Sequence, residues 1–160
     1  MYNNIKRKRS RWYPSESPKP IPKAGLHPNK VLLSIWWDWH GILYFELLPL
    51  NTTVNSDAYC DQLEKLKTAV QEKRPSLANR MGVTFQHDNA RPHASLKTWK
   101  KLLELNWDVL PHPPYSPDLV PSDFYLFQRL EKFFDGKNFS GREDIKLTLL
   151  QYSAQKGQDL

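Results

Sequence analysis

Two proline-rich stretches limit where this chain of 160 residues can form regular structure. Proline fixes φ and lacks a backbone N–H, so it is excluded from helix interiors and from central strands. The first stretch therefore predicts an extended loop lying on another part of the protein. The second predicts a stiff loop with reduced freedom in the unfolded chain. The prolines are Pro14, Pro18, Pro20, Pro22 and Pro28, and then Pro111, Pro113, Pro114, Pro117 and Pro121.

The segment after the first stretch predicts a β-hairpin. Lys30 to Asp38 is apolar on both faces, which is typical of a strand in the middle of a covered sheet. Trp39 to Gly41 predicts the turn, and Ile42 to Leu48 predicts the returning strand. Because Trp36 and Trp37 are neighbours on a strand, they point to opposite faces, and at least one belongs to the core.

Apolar residues at helical spacing predict four helices. Asn55 or Ser56 is the expected N-cap of the first, and Pro92 lies near the first turn of the second. Ser140 and Glu143 predict a capping box for the last. The recurring apolar residues are Tyr59, Leu63, Leu66 and Val70; Leu96, Trp99 and Leu103; Phe124, Phe127, Leu130 and Phe134; and Ile145, Leu149 and Tyr152.

The first candidate catalytic residue, Asp88, follows a short strand. Val83 to Phe85 are β-branched or aromatic, so they predict a buried strand that ends where Gln86, His87 and Asp88 turn polar. Asp88 therefore lies at the carboxyl end of a strand. In open α/β sheets ligands bind in the crevice at that end.

The second candidate, Asp123, is separated from Asp88 by 34 residues. Ser122 or Asp123 itself is the expected helix N-cap, and a helix N-terminus keeps a carboxylate ionised. Two ionised carboxylates on rigid elements suit a hard divalent cation such as Mg²⁺. Considered alone, each aspartate more often has a purely local role. Arg91 and His93 are candidate phosphate contacts or local hydrogen-bonding residues.

Composition excludes several classes of protein. Hydrophobic residues make up 39% of the chain and six tryptophans are present, which argues against disorder. No apolar run approaches the roughly 20 residues of a membrane span, so we expect no membrane partner. The single cysteine, Cys60, cannot form an internal disulfide, which suits a reducing compartment. Zinc is not indicated, because no His or Cys pair has zinc-finger spacing.

The excess positive charge lies in the N-terminal arm. Residues 1–30 contain eight Lys or Arg and one acid, whereas the remaining 130 residues contain fifteen bases and sixteen acids. A block of like charge often binds nucleic acid through counterion release, although a nuclear import receptor or plain solvation explains it too. The candidate nucleic-acid contacts are Lys6, Arg7, Lys8, Arg9 and Arg11.

Three segments together resemble the catalytic domain of mariner-family DNA transposases: HDNARPH, NWDVLPHPPYSPDLVPSD and WWDWHGILYFELL. The resemblance implies a ribonuclease H-like α/β fold, a mixed sheet flanked by helices, here lacking most of its first strand. It implies that Asp88 and Asp123 are the last two of three acidic ligands for Mg²⁺ or Mn²⁺. The implied activity is DNA cleavage and strand transfer in the nucleus. DNA is the implied partner, a homodimer is compatible, and no small-molecule substrate is expected.

The first acidic residue of that family has no match in this sequence. Asp38 falls at the hairpin turn and is not expected to replace it. We expect a basic, Pro-rich arm over residues 1–30, a partial ribonuclease H-like catalytic domain over 31–152 and a polar tail over 153–160. The alternatives are a DNA-binding derivative without catalysis or an inert remnant. Such a derivative resembles a fusion of a mariner transposase with a histone methyltransferase, which carries Asn at the position of Asp123.

Overall fold

The computed structural model of the protein describes residues 2–3, 31–49, 52–79 and 82–156. The predicted nucleic-acid contacts from Lys6 to Arg11 lie outside these ranges. No helix within the ranges is both long and apolar enough to cross a membrane. The elements are β1 (Tyr2–Asn3), β2 (Leu33–Asp38), β3 (Gly41–Leu47), α1 (Ser56–Lys73), α2 (Pro75–Ala78), β4 (Val83–Phe85), α3 (Leu96–Glu104), β5 (Trp107–Val109), a 3₁₀ turn (Pro117–Leu119), a π-helical turn (Ser122–Phe127), α4 (Gln128–Phe134), β6 (Asn138–Phe139) and α5 (Arg142–Lys156).

The strands in the described ranges form three pairs of mixed direction. β2 and β3 are antiparallel, with Leu33 opposite Leu47 and a register shift between Trp36 and Trp37. β4 and β5 are parallel, and a parallel pair needs a long crossover, here the segment that contains α3. β1 is antiparallel to β6. Parallel and antiparallel pairs flanked by helices agree with the predicted mixed α/β architecture.

The β2–β3 hairpin turns at Trp39 and His40, as the sequence predicts. The Asp38 carboxylate accepts a hydrogen bond from the backbone N–H of His40 at 2.9 Å. It also forms a two-pronged ion pair with Arg74 at the end of α1, with N–O distances of 2.7 and 3.1 Å. Asp38 therefore joins the hairpin turn to α1, which agrees with the expectation that it is not a catalytic ligand.

Two hydrophobic cores lie on opposite faces of this hairpin. Ile42 and Leu43 are consecutive, both are buried, and they belong to different cores. Trp36 packs against the first core and Trp37 against the second, which agrees with the predicted opposite faces. The buried residues are Leu43, Tyr59, Leu63, Leu66, Val70, Phe85, Leu102 and Trp107 in the first core, and Ile42, Leu47, Leu126, Leu130, Leu149 and Tyr152 in the second.

Helix α1 forms as its sequence predicts. The side chain of Asn55 caps it by accepting a hydrogen bond from the Ala58 N–H at 2.8 Å. The cysteine of this helix, Cys60, is buried. Burying each large apolar side chain of the stripe stabilises the fold by about 1.5–3 kcal/mol. All four predicted stripe residues are buried: Tyr59, Leu63, Leu66 and Val70.

Helix α3 packs through a different face from the one predicted. The prediction that Leu96, Trp99 and Leu103 point inward is wrong, because 79%, 59% and 56% of their surfaces are exposed. Thr98 and Leu102 are buried instead. The apolar spacing was therefore a misleading guide to the orientation of this helix.

Helix α3 packs against the first core through Leu102, and Thr98, one turn earlier, is buried on the same face. The Thr98 hydroxyl donates to the Pro92 carbonyl at 2.6 Å and accepts from the Ser95 hydroxyl at 3.0 Å. A buried polar group that is hydrogen-bonded in this way costs little free energy. Two lysines of α3 form ion pairs with carboxylates of α1, Lys97 with Asp57 and Lys101 with Glu64.

The helix after the second proline stretch does not begin as predicted. A cap at Ser122 or Asp123 was expected, but the N-cap position is occupied by Pro121 and no side chain caps the helix. The first residues form the π-helical turn, which contains more residues than an α-helical turn and so changes which side chains point inward. The buried residues are Leu126 and Leu130, whereas Phe124 and Phe127 are exposed.

Helix α5 carries the predicted apolar stripe, with Leu149 and Tyr152 buried. The carboxylate that bonds to Ser140 belongs to Asp144, whereas the predicted partner was Glu143. The backbone N–H of Ser140 donates to Asp144 at 3.0 Å, and its hydroxyl contacts the same oxygen. Because α5 begins at Arg142, Gly141 directly precedes the helix, and Asp144, the third helical residue, reaches past it to Ser140.

Candidate active site

The carboxylate of Asp88 lies just beyond the end of β4, where the sequence predicts it, and 54% of the side chain is exposed. Its Oδ1 accepts hydrogen bonds from the Ala90 N–H at 3.0 Å and from His93 Nδ1 at 2.5 Å. Partial burial raises the pKa of Asp88, but these two donors outweigh burial and bring the pKa below its usual value. The carboxylate is therefore ionised at neutral pH. Within the described residues both hydrogen bonds fall on Oδ1, so Oδ2 is the oxygen left for a cation.

The rings of Tyr59 and His87 pack against the ring of His93. The Tyr59 hydroxyl lies 3.1 Å from His87 Nδ1, and the His87 and His93 rings are 5.3 Å apart and inclined by 10°. Burial, followed by the charge of His93, lowers the pKa of His87 to about 4, while Asp88 opposes the shift. Burial raises the pKa of Tyr59. His87 is therefore neutral at neutral pH, and its Nδ1 is hydrogen-bonded to the Tyr59 hydroxyl.

Two amide side chains tie the Asp88 segment to the second proline stretch. Gln86 Nε2 donates to the Leu119 carbonyl at 2.9 Å, and Asn89 Nδ2 donates to the His112 carbonyl at 2.6 Å. These bonds attach residues on both sides of Asp88 to the loop that leads to the helix carrying the second aspartate. Sequence reasoning missed both amides, and the only local signal was their polarity on either side of an aspartate.

Asp123 is exposed in the first turn of its helix, as predicted. Its backbone N–H donates to the Val120 carbonyl at 2.9 Å. The neighbouring hydroxyl of Ser122 accepts a hydrogen bond from Trp37 Nε1 at 3.0 Å, a contact that the sequence did not predict. The structure thus places Asp123 at the end of a loop that is anchored to the Asp88 segment and to the hairpin.

The described residues alone do not form a complete set of metal ligands. Within residues 31–49, 52–79 and 82–156 no group of three or more His, Cys, Asp or Glu could hold a metal ion. Mg²⁺ usually takes only one or two carboxylates, with water and substrate phosphate in its other positions. An ionised, half-exposed Asp88 fits the role of one such ligand. The metal-binding roles of Asp88 and Asp123 stay predictions.

The two remaining predicted site residues that the structure describes follow Asp88 directly. His93 contacts the Asp88 carboxylate, so it has at least the local hydrogen-bonding role that was considered for it. Arg91 is exposed in the turn that follows. Its contact with a phosphate stays a prediction.

Comparison with known proteins connects this geometry to a family. Residues 1–80 match the family described as Transposase (partial DDE domain). The chain is 37% identical over 160 residues to human histone-lysine N-methyltransferase SETMAR, covering 99% of this chain and 23% of SETMAR. It is 38% identical over 155 residues to the Mariner Mos1 transposase of Drosophila mauritiana, covering 96% of this chain and 45% of Mos1.

Solved structures of Mos1 transposase have the same fold. A paired-end complex with the left transposon end matches with a TM-score of 0.86 at 38% identity, covering 96% of this chain and 45% of that chain. The Mos1 catalytic domain with Raltegravir and Mg matches with a TM-score of 0.77 at 41% identity, covering 82% of this chain and 66% of that chain. Another structure of that domain contains Mn.

The fold and the acidic strand end, together with these similarities, define a transposase catalytic domain of the ribonuclease H-like α/β type. The chain belongs to the mariner transposase family. The predicted fold class and family are therefore confirmed. The chain spans less than half the length of SETMAR and of Mos1.

Proposed function

We propose that this chain is part of a mariner-type catalytic domain that binds DNA and takes part in metal-dependent DNA cleavage and strand transfer. The observation that carries the proposal is the state of Asp88, which is ionised, half exposed and fixed by Ala90 and His93 at the end of β4. The hydrogen bonds of Gln86 and Asn89 support it, because they connect this carboxylate to the loop that leads to Asp123.

Each residue of the site has a separate proposed task. Asp88 and Asp123 are the proposed ligands of Mg²⁺ or Mn²⁺. A cation bound there would activate a water or a 3′-hydroxyl and stabilise the leaving oxygen. His93 is hydrogen-bonded to Oδ1 of Asp88. This bond leaves Oδ2 as the oxygen that would bind the cation. Arg91 is the proposed contact to a DNA phosphate near the cation.

DNA is the proposed partner, and the arm supplies the charge that attracts it. Eight of the basic residues lie within residues 1–30, and contacts between such residues and phosphates release counterions whatever the base sequence. Mos1 structures include a complex with transposon-end DNA. Lys6, Arg7, Lys8, Arg9 and Arg11 are the proposed contacts. The nucleus is the proposed location, and a homodimer is the proposed assembly.

A second candidate function is DNA binding without cleavage. Among the described residues no group of three or more His, Cys, Asp or Glu could hold a metal ion. SETMAR, a methyltransferase by name, shows that this domain type also occurs in a protein named for another activity. This candidate keeps the basic arm and gives Asp88 and Asp123 no role in strand cleavage.

One experiment separates these functions. The purified chain and its Asp88→Asn and Asp123→Asn variants are incubated with supercoiled plasmid in Mn²⁺, and DNA affinity is measured in parallel over a range of salt concentrations. Nicking that both variants lose supports the cleavage function. Salt-dependent binding without nicking supports the binding function. Undiminished nicking by the Asp88→Asn variant contradicts the proposed ligand, and absence of both binding and nicking contradicts both functions.

A further inference from the structure

Trp37 connects the β2–β3 hairpin to the helix that carries Asp123. Its indole N–H donates to the Ser122 hydroxyl at 3.0 Å. Its ring also stacks on the ring of Tyr125, with a centroid distance of 5.6 Å and an interplanar angle of 10°. The two contacts fall one residue before and two residues after Asp123, so they hold the helical turn that bears the proposed ligand.

This helical turn has little stabilisation of its own. The first N–H groups of a helix lack partners within the helix, and a capping side chain commonly supplies one. Here Pro121 occupies the N-cap position and no side chain forms a capping hydrogen bond. The turn is also π-helical, a rare geometry that occurs mostly as single turns at functional sites. The direction of Asp123 therefore depends on contacts from outside the helix.

The hairpin end is a firm support for Trp37. Trp36 lies opposite Tyr44 and Trp37 opposite Ile42, so the extra residue at this register shift is Leu43 of β3, and β2 keeps its regular alternation up to Trp37. The next residue, Asp38, is fixed by its two-pronged ion pair with Arg74 at 2.7 and 3.1 Å. On the helix side, the Arg129 guanidinium packs on the same Tyr125 ring at 4.0 Å.

We propose that Trp37 is a positioning residue of the active site. Its indole N–H and ring fix the first turn of the helix and so direct the Asp123 carboxylate to the cation that it shares with Asp88. This role rests on the proposed function, because it requires Asp123 to be a ligand. Only one of the two adjacent tryptophans has this proposed role. Trp36 lies on the other face of the hairpin, where its ring stacks on that of Tyr44 with a centroid distance of 5.4 Å.

The test compares Trp37→Phe, Ser122→Ala and the control Trp99→Phe, at an exposed tryptophan of α3, in the full 160-residue chain. Mn²⁺ affinity is measured from the electron paramagnetic resonance signal of free Mn²⁺. Trp37→Phe keeps a ring for Tyr125 but removes the N–H donor, and Ser122→Ala removes the acceptor with a minimal change in volume. We expect each to weaken Mn²⁺ binding about fivefold, the factor that corresponds to one hydrogen bond. Trp99→Phe should change it less than about twofold.

A double-variant comparison separates positioning from general destabilisation. In an Asp123→Asn background, Trp37→Phe should cause no further loss of Mn²⁺ affinity, because the contact acts only through Asp123. Amide hydrogen exchange of residues 122–127 should quicken in Trp37→Phe and Ser122→Ala but not in Trp99→Phe.

Two results overturn this role in distinguishable ways. If Asp123→Asn weakens Mn²⁺ binding while Trp37→Phe and Ser122→Ala leave it unchanged, the positioning role is wrong and the proposed function stands. If Mn²⁺ does not bind, or Asp123→Asn leaves the affinity unchanged, both are wrong.

Discussion

Replacing Asp38 by Asn should lower the stability of the fold more than it lowers the Mn²⁺ affinity of the metal site. Asp38 and Arg74 expose only 17% and 22% of their side chains, and two N–O contacts join them. Hydrogen bonds to charged groups contribute about 1.5–3 kcal/mol, and breaking a largely buried pair leaves the guanidinium without its counter-charge. Asn keeps the acceptor for the His40 N–H, so the loss is confined to the ion pair. We expect the free energy of unfolding to fall by about 2 kcal/mol, which corresponds to about 4–8 °C in Tm.

Urea unfolding followed by circular dichroism measures this loss, and Mn²⁺ affinity is measured on the same samples. Arg74→Lys is a matched control that keeps the charge but loses the planar fork, so its loss of stability should be intermediate. Asp88→Asn should show the opposite pattern, with weakened Mn²⁺ binding and a smaller change in stability. If Asp38→Asn abolished Mn²⁺ binding while stability stayed within about 0.5 kcal/mol of the wild type, the structural role of Asp38 would be refuted.

Three further predictions test the core, the histidine stack and the basic arm. Leu63 is fully buried in the first core. Leu63→Ala should therefore lower the free energy of unfolding, measured by urea titration, by about 3 kcal/mol. A loss below about 1 kcal/mol would contradict this packing. In metal-free buffer, stability should fall as the pH is lowered from 6.5 to about 4, because His87 takes up a proton in the unfolded chain at its ordinary pKa but in the folded chain only near 4. Asp88, whose pKa is also lowered, makes stability fall further at lower pH. His87→Gln should flatten the upper part of the plot of stability against pH. An unchanged plot would contradict the buried state of the His87 ring. Charge reversal of Lys6, Arg7, Lys8 and Arg9 to Glu should weaken DNA binding and reduce the slope of log affinity against log salt by about 0.9 per lost phosphate contact, whereas a wild-type slope would remove the arm from the interface.

Local patterns in the sequence were sufficient for elements whose burial follows their own periodicity. The stripe from Tyr59 to Val70 predicted the buried face of α1, and Asn55 predicted its cap. The polar residues after Phe85 predicted where β4 ends, and so placed Asp88 at a strand end. Each of these features depends on residues that are close together in the sequence. Over such short distances the spacing of apolar residues predicts secondary structure and burial.

Features that depend on distant residues could not be predicted in this way. The buried face of α3 is set by the packing of Leu102 in the first core, whose other members lie on α1, β3, β4 and β5. The bond between Trp37 and Ser122 spans 85 positions, and the bond between Gln86 and Leu119 spans 33. The π-helical turn has no capping side chain to mark its start. For these reasons the sequence offered Asp88 and Asp123 as candidate ligands but did not predict the contacts that hold their segments.

The central claim is that Asp88 and Asp123 bind one divalent cation between them. Crystals of the chain soaked in Mn²⁺, with diffraction collected at the manganese absorption edge, test it most directly. The account predicts an anomalous peak within about 2 Å of a carboxylate oxygen from each aspartate, the range of metal–oxygen distances in such sites. The absence of such a peak in well-ordered crystals, or a peak that contacts neither aspartate, would contradict it.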